Sequence, residues 1–230
     1  MQQEGIIVGC DQTQEWLLPW WWKHYSANNS YPVLFVDFGM SQAASQWCKQ
    51  QGLYTPLRNF ELFQEKEVPF QKKQLWETYI SSLFTFRTAF FKKPFALSQT
   101  PFTFSIWLDL DCQVKQSLEP LFFPLNLGIE ISIRKNKRNL QALDSLYNSG
   151  VIAFRRDAKF LSLWVGEVLE RNDQHLTDEH ALSLILTQES IPLIELPEIY
   201  NWNPLYGDNP EAAILHFQGG FLKQEIRRLN

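Results

Sequence analysis

The apolar positions of this chain fall into short continuous runs, separated by polar stretches with helical period. "GIIVGCD" (Gly5 to Asp11) and "YPVLFVDFG" (Tyr31 to Gly39) are runs of strand length, the pattern of strands buried on both faces. Between them Trp16, Trp20 and Tyr25 recur near helical spacing. They predict a helix that starts near Glu15, holds Pro19 in its first turn and ends at Asn28 and Asn29. "SQAASQWCKQQG" predicts a second helix with Ser41 as cap and Gly52 as stop. Strand, helix, strand and helix with short connections imply a right-handed parallel unit.

Residues 54 to 70 lack a period and carry the charge run Glu65-Lys66-Glu67, which predicts an irregular surface excursion. Lys72 to Lys93 predicts one long helix that stops before Pro94. "FTFSIWLDLD" reads as the next strand, with further strands in "NLGIEISIR", "GVIAFRR", "IPLIELP" and "AAILHF". Two more helices are predicted, one capped by Asp157 and one opened by Asp178, with a short helix or coil at the C-terminal tail. Repeats, low-complexity tracts and a clear linker are absent. The alternation predicts an α/β class: one domain over 1–230, with a mostly parallel, Rossmann-like central sheet flanked by helices.

The strand from Phe104 to Leu108 ends on Asp109 and Asp111. Residues i and i+2 of a strand share a face, so both carboxylates point the same way. Buried carboxylates are costly unless paired or bound to a cation. Either the strand emerges into water here or something positive sits at its end. In open α/β sheets, ligands gather beyond the carboxyl ends of the strands, and two convergent carboxylates there can hold a hard divalent cation.

Composition narrows the choice. Of the 230 residues, 45% are apolar and 20% charged, which fits a globular chain. Eighteen Phe, nine Trp and seven Tyr predict a large aromatic core, with some rings free to line a cleft. A net charge of −4 offers no basic face for nucleic acid. The one basic cluster, Arg134 to Asn139, reads as a solvated loop or as a local contact to an anionic acceptor or membrane. Three cysteines without a Cys-x-x-Cys argue against a disulfide framework or zinc finger and suit a reducing, cytoplasmic location. Neither a signal peptide nor an apolar stretch near ~18 residues is evident, so no membrane span is expected, and a peripheral membrane contact stays open.

"FKKPFALSQTPFTFSIWLDLDCQV" (Phe91 to Val114) resembles the donor-binding segment of GT-A-fold glycosyltransferases, in particular the retaining family of glycogenin and the lipopolysaccharide galactosyltransferases. Further segments resemble that family in order: "VGCDQT", "NSGVIAF", "DEHALS", "LPEIYNWN" and "LHFQGGFLK". The resemblance implies a GT-A-type fold, with a nucleotide-binding half over 1–112 and an acceptor and donor-sugar half over 113–230. It implies a metal-dependent, hexosyltransferase-like glycosyltransferase using Mn²⁺ or Mg²⁺ and a nucleotide-diphosphate sugar, with a UDP-sugar as the first expectation. The acceptor would be an unidentified glycan, lipid or protein. Carried over by position, Asp109, Asp111 and His216 would be metal ligands. Cys10, Asp11, Lys92, Lys93, Asp109, Asn148, Gly219 and Lys223 would take the donor, Asn148 through its sugar. Asp178 and Glu179 would be the catalytic residues beside the anomeric carbon, orienting the donor or stabilising the oxocarbenium-like state.

The departures are Glu179, His180 and Ser183, where the family carries Gln, Asp and Asn, and a spacing from His216 to Lys223 one residue longer than the family's, so that Arg227 is an alternative phosphate contact. Simpler readings stand beside these roles. His216 also reads as a core histidine, Asp178 and Asp11 as helix caps, and Asn148-Ser149-Gly150 as a turn. Trp20 to Trp22 read as packed helix or as an interfacial patch. Two other functions remain: a non-catalytic nucleotide-sugar-binding module of the same fold, and a sugar-nucleotide pyrophosphorylase. The second would need a Gly-rich basic loop, which "GCDQTQEW" does not supply.

Overall fold

A computed structural model of the chain describes residues 3–136 and 145–229. β1 (Glu4–Cys10) leads through a 3₁₀ turn at Glu15–Leu17 into α1 (Leu18–Ser26), with Pro19 in its first turn, where no amide is needed. β2 (Val33–Asp37) and α2 (Gln42–Gln51) follow, and the Ser41 hydroxyl caps α2 by accepting from the Ala44 amide at 3.2 Å. β1 and β2 pair in parallel.

The excursion is more ordered than its sequence implies. β3 (Leu53–Pro56) pairs in parallel with β2 and forms an edge of the sheet. An edge strand needs no continuous apolar run, which hides it in the pattern. The single helix predicted over Lys72 to Lys93 is instead broken. α3 (Phe70–Tyr79) ends before Ser82, whose φ of 59° is left-handed. A 3₁₀ turn, α4 (Arg87–Phe90) and α5 (Lys92–Ser98) follow. Pro94 therefore lies in the first turn of α5 and does not stop a helix.

The remaining elements are β4 (Phe104–Leu108), β5 (Cys112–Val114), α6 (Phe123–Asn126), β6 (Ile131–Lys135), β7 (Tyr147–Arg155), α7 (Lys159–Arg171), α8 (Asp178–Gln188), β8 (Leu193–Glu195), β9 (Ile214–His216) and α9 (Gly220–Leu229). Two predicted caps are corrected. Asp157 pairs with Arg155 at 3.0 Å and caps nothing, and α7 begins after Ala158. Thr177 holds the cap position of α8, leaving Asp178 as its first residue.

The seven-stranded sheet has the order β3-β2-β1-β4-β7-β6-β8. Six strands run one way, and β7 runs against both neighbours. β5 and β9 form a separate antiparallel pair. Alternate strand residues face opposite sides, so the core has two parts. Ile6, Val8, Phe35 and Ile106 pack against α1 on one face. Ile7, Val36, Trp107 and Ile152 pack against α5, α7 and α8 on the other. Trp21 is fully buried and stacks on Tyr25 with ring centroids 4.9 Å apart, so this tryptophan run is packed helix and not an interfacial patch. Arg134 is also buried and donates to the Asn201 carbonyl, which removes it from the proposed solvated loop. The rest of that basic cluster, from residue 137, lies outside the described residues. Among the described residues, no helix is long and apolar enough to cross a membrane.

Arg87 ties the excursion to the body. Its fully buried guanidinium pairs with Glu65 at 3.0 Å, donates to the carbonyls of His175 at 2.7 Å and of Asn172, and lies over the Phe91 ring. Removing one partner of such a set strands the rest. Arg87→Met is expected to cost about 3 kcal/mol or more, read as a lower urea midpoint. An unchanged midpoint would contradict the anchoring role.

Candidate active site

The reversed strand builds the site. Because β7 is antiparallel to β4, its N-terminal residues arrive beside the C-terminal end of β4. Leu108 faces Val151 across the ladder, and the Asp109 amide donates to the Gly150 carbonyl at 2.9 Å. Asn148, Ser149 and Gly150 thus lie against the Asp109–Asp111 exit. The β5–β9 pair adds the imidazole: Cys112 faces His216, and the Phe217 amide donates to the Asp111 carbonyl at 2.9 Å. His216 Nε2 lies 3.3 Å from Asp111 Oδ1 and 3.9 Å from Asp109 Oδ2. Gly150 makes this approach possible. A Cβ there would sit 2.6 Å from His216 Nδ1 and 2.8 Å from Nε2.

A cavity of about 670 Å³ opens at this edge, within the range of small-molecule sites. Lys93, Asp109, Asp111, Asp178, Glu179, His216, Gly219 and Lys223 line it. Gly219 has φ +91°, a conformation that favours glycine, and leads into α9, whose first residue Gly220 also lines the cavity. Lys223, one turn on, pairs with Asp111 Oδ2 at 3.2 Å.

The charges are nearly all spoken for. Lys93 Nζ is buried and reaches Asp109 Oδ1 at 3.0 Å, Ser149 Oγ at 2.8 Å and Asp178 Oδ2 at 3.5 Å. Burial alone would lower its pKa, but Asp109, Asp178 and Glu179 raise it. The Asp111 carboxyl, which burial alone would push up, is held below the usual carboxylate range by His216 when its ring is charged, and by Lys223. Its Oδ1 is buried and makes no hydrogen bond. Glu179 accepts from the Ser149 amide at 2.8 Å and from the Ser145 hydroxyl at 2.9 Å, holding the start of β7 to α8. Asp178 Oδ2 accepts from the Ser149 hydroxyl at 2.9 Å.

Among the described residues, Asp111, Cys112 and His216 each bring a ligand-type atom within 4.8 Å of one another. The Cys112 thiol is pushed well above its ordinary value, first by burial and then by Asp111 and Asp109. A thiol that stays protonated is a poor ligand, which leaves Asp111 and His216 of that group, with Asp109 Oδ2 3.9 Å from His216 Nε2.

Five sequence-derived candidates lie outside the cavity lining. Cys10 is buried in the core. The Asp11 carboxylate accepts from the Thr13 amide at 2.9 Å and shapes the turn before α1. Lys92 donates to the Phe38 carbonyl at 2.7 Å. Asn148 is buried behind His216 with both ends of its amide engaged. Arg227 lies over the Trp16 ring. Arg134, which the sequence offered as a solvated loop residue or a contact to an anionic acceptor, also lines the cavity from β6; conversely, the wall formed by Ile80, Phe86 and Phe90, together with Tyr206, was not legible as site residues. These come from the broken helix and from distant loops, and no motif marks them.

Burial pushes the Asp178 carboxyl up to about 6 against the pull of Lys93, with Glu179 and Asp109 adding to the rise. A carboxyl raised in the fold favours its protonated form. Its contribution is intact at low pH and is lost as pH climbs through the raised value. Stability relative to Asp178→Asn is therefore expected to fall between about pH 4 and pH 7, measured by urea midpoints at each pH. A constant difference would contradict the assigned burial.

No family model matches the sequence, and no curated protein matches it. Solved structures do. The galactosyltransferase LgtC, crystallised with donor and acceptor sugar analogues, superposes with a TM-score of 0.61 at 15% identity, covering 94% of this chain and 87% of that one. Mouse xyloside xylosyltransferase 1 gives 0.56 at 14% identity, covering 94% and 97%. The glycosyltransferase GlyE of Streptococcus pneumoniae gives 0.59 at 14% identity, covering 94% of this chain and 55% of that one. The chain therefore has the GT-A fold of these sugar transferases.

Proposed function

We propose that this protein is a glycosyltransferase that moves a sugar from a nucleotide-diphosphate sugar, a UDP-sugar in the first instance, to an acceptor hydroxyl. In this reading Asp109, Asp111 and His216 hold Mn²⁺ or Mg²⁺. Two carboxylates and one imidazole suit such an ion better than zinc. The buried Asp111 Oδ1, without a hydrogen bond, is the kind of orphaned acceptor that a cation satisfies. A bound ion would supply Lewis-acid stabilisation of the departing diphosphate.

The remaining work falls to the chain's own groups. Lys223, paired with Asp111, is within reach of an anion placed in the cavity. The N-terminus of α9 at Gly219 and Gly220 offers backbone N–H groups to phosphate oxygens. Lys93 is engaged on all sides by Asp109, Ser149 and Asp178, so its role is to hold those carboxylates in place. Asp178 and Glu179 also line the cavity, and in this reading they face the donor sugar. Ile80, Phe86 and Phe90 give the cavity an apolar wall on which an acceptor can rest.

The meeting of His216 with Asp109 and Asp111 inside a cavity of this fold carries the proposal. A second reading, binding of a nucleotide sugar without turnover, is favoured by one observation: the Glu179 carboxylate is committed to Ser149 and Ser145 and so is tied to structure.

Thermal-shift measurements with UDP, with and without Mn²⁺, are expected to show stabilisation by the pair well beyond UDP alone. A panel of UDP- and GDP-sugars, assayed for hydrolysis with Mn²⁺, then separates enzyme from binder. Asp111→Ala is expected to slow turnover ~100-fold or more, about 3 kcal/mol of barrier. Unchanged turnover in that variant would refute the ligand assignment.

A further inference from the structure

Asn201 lies at the Nδ1 side of His216, opposite the nitrogen that faces the two aspartates, Asn148 lies against Asn201, and neither asparagine lines the cavity. We propose that they are positioning residues: they fix the proton of a neutral His216 on Nδ1 and so present the bare Nε2 to Asp109 and Asp111.

The inference starts from a group whose role cannot change. The Gly150 backbone N–H can only donate, and it lies 3.1 Å from Asn148 Oδ1. That sets the Asn148 amide, with its oxygen toward Gly150 and its nitrogen toward Gln218 Oε1 at 3.1 Å. The same Asn148 oxygen lies 2.8 Å from the side-chain amide of Asn201. The Asn201 atom facing an acceptor has to be its nitrogen. Its oxygen then faces His216 Nδ1 at 2.9 Å and can only accept. Nδ1 must therefore carry the proton, and a neutral ring has no second one.

All three side chains are buried, Asn201 at 0%, Asn148 at 3% and His216 at 3% exposure, so water offers no competing partner. The freed Nε2 sits 3.3 Å from the one Asp111 oxygen that makes no hydrogen bond. Two acceptors facing each other at that distance repel, unless something positive comes between them or the ring takes up a second proton. The relay thus runs from the amide of Gly150, whose missing side chain admits the ring, to the nitrogen the ring turns outward. It assigns Asn148 a part in orienting the imidazole in place of the sugar contact that the family resemblance implies.

The consequence for metal binding rests on the proposed function, but the tautomer does not. The test is a two-bond ¹H–¹⁵N correlation spectrum of the ¹⁵N-labelled wild-type chain without added metal, recorded where the ring is neutral. His216 is assigned by the loss of its signals in His216→Gln. The expected pattern is a proton on Nδ1. A proton on Nε2, or an averaged mixture, overturns the proposal. Asn201→Leu cuts the relay and is expected to lose the fixed tautomer and to weaken Mn²⁺ binding by ~10–100-fold. An Asn201→Leu chain that keeps the Nδ1–H tautomer also overturns it. A wild-type chain with the Nδ1–H tautomer and no Mn²⁺ binding keeps the relay and removes only the metal reading.

Discussion

The cost of burying carboxylates at one sheet edge governs this structure. Asp111 and Asp178 are both almost wholly buried, and the fold compensates them from different directions. Asp111 is compensated by Lys223, joined by His216 only when its ring is charged, and Asp178 by Lys93. Those two arrangements have opposite outcomes. The Asp111 carboxyl falls below its ordinary range, whereas burial wins at Asp178 and lifts it to about 6. One carboxyl therefore keeps its negative charge, while the other holds a proton more readily. Neighbouring carboxyls with separated ionisation are a frequent property of catalytic sites.

Backbone topology delivers these groups to one place. Six strands point their C-terminal ends to the same edge, and the reversed β7 contributes its N-terminal end there. The β5–β9 register sets His216 opposite Cys112. A slip of one residue would turn the imidazole to the other face and away from Asp111. Gly150 is needed in the same place because the ring lies where a side chain would be.

Much of the fold was legible because buried strands write themselves as apolar runs: β1, β2, β4 and β7 all follow that pattern. The Asp109–Asp111 exit was legible because two carboxylates after such a run need an explanation. What escaped had a physical reason. β3 is an edge strand with half-exposed residues, and β5 has only three residues. The break at Ser82 depends on a left-handed backbone that no glycine announces. The ion pairs of Lys93 were not legible, since sequence shows a charge but not the three side chains that engage it. Asn148 and Asn201 are 53 residues apart, and only the folded chain shows that they touch.

The central claim is that Asp109, Asp111 and His216 together grip a divalent ion against a diphosphate. Pulsed electron-nuclear resonance on Mn²⁺ bound to the ¹⁵N-histidine-labelled chain with UDP tests it most directly. The account predicts ¹⁵N coupling from one imidazole and ³¹P coupling from UDP on the same ion, with the ¹⁵N coupling lost in His216→Gln. Bound Mn²⁺ that shows phosphorus coupling without any histidine nitrogen, or histidine nitrogen without phosphorus, would contradict it.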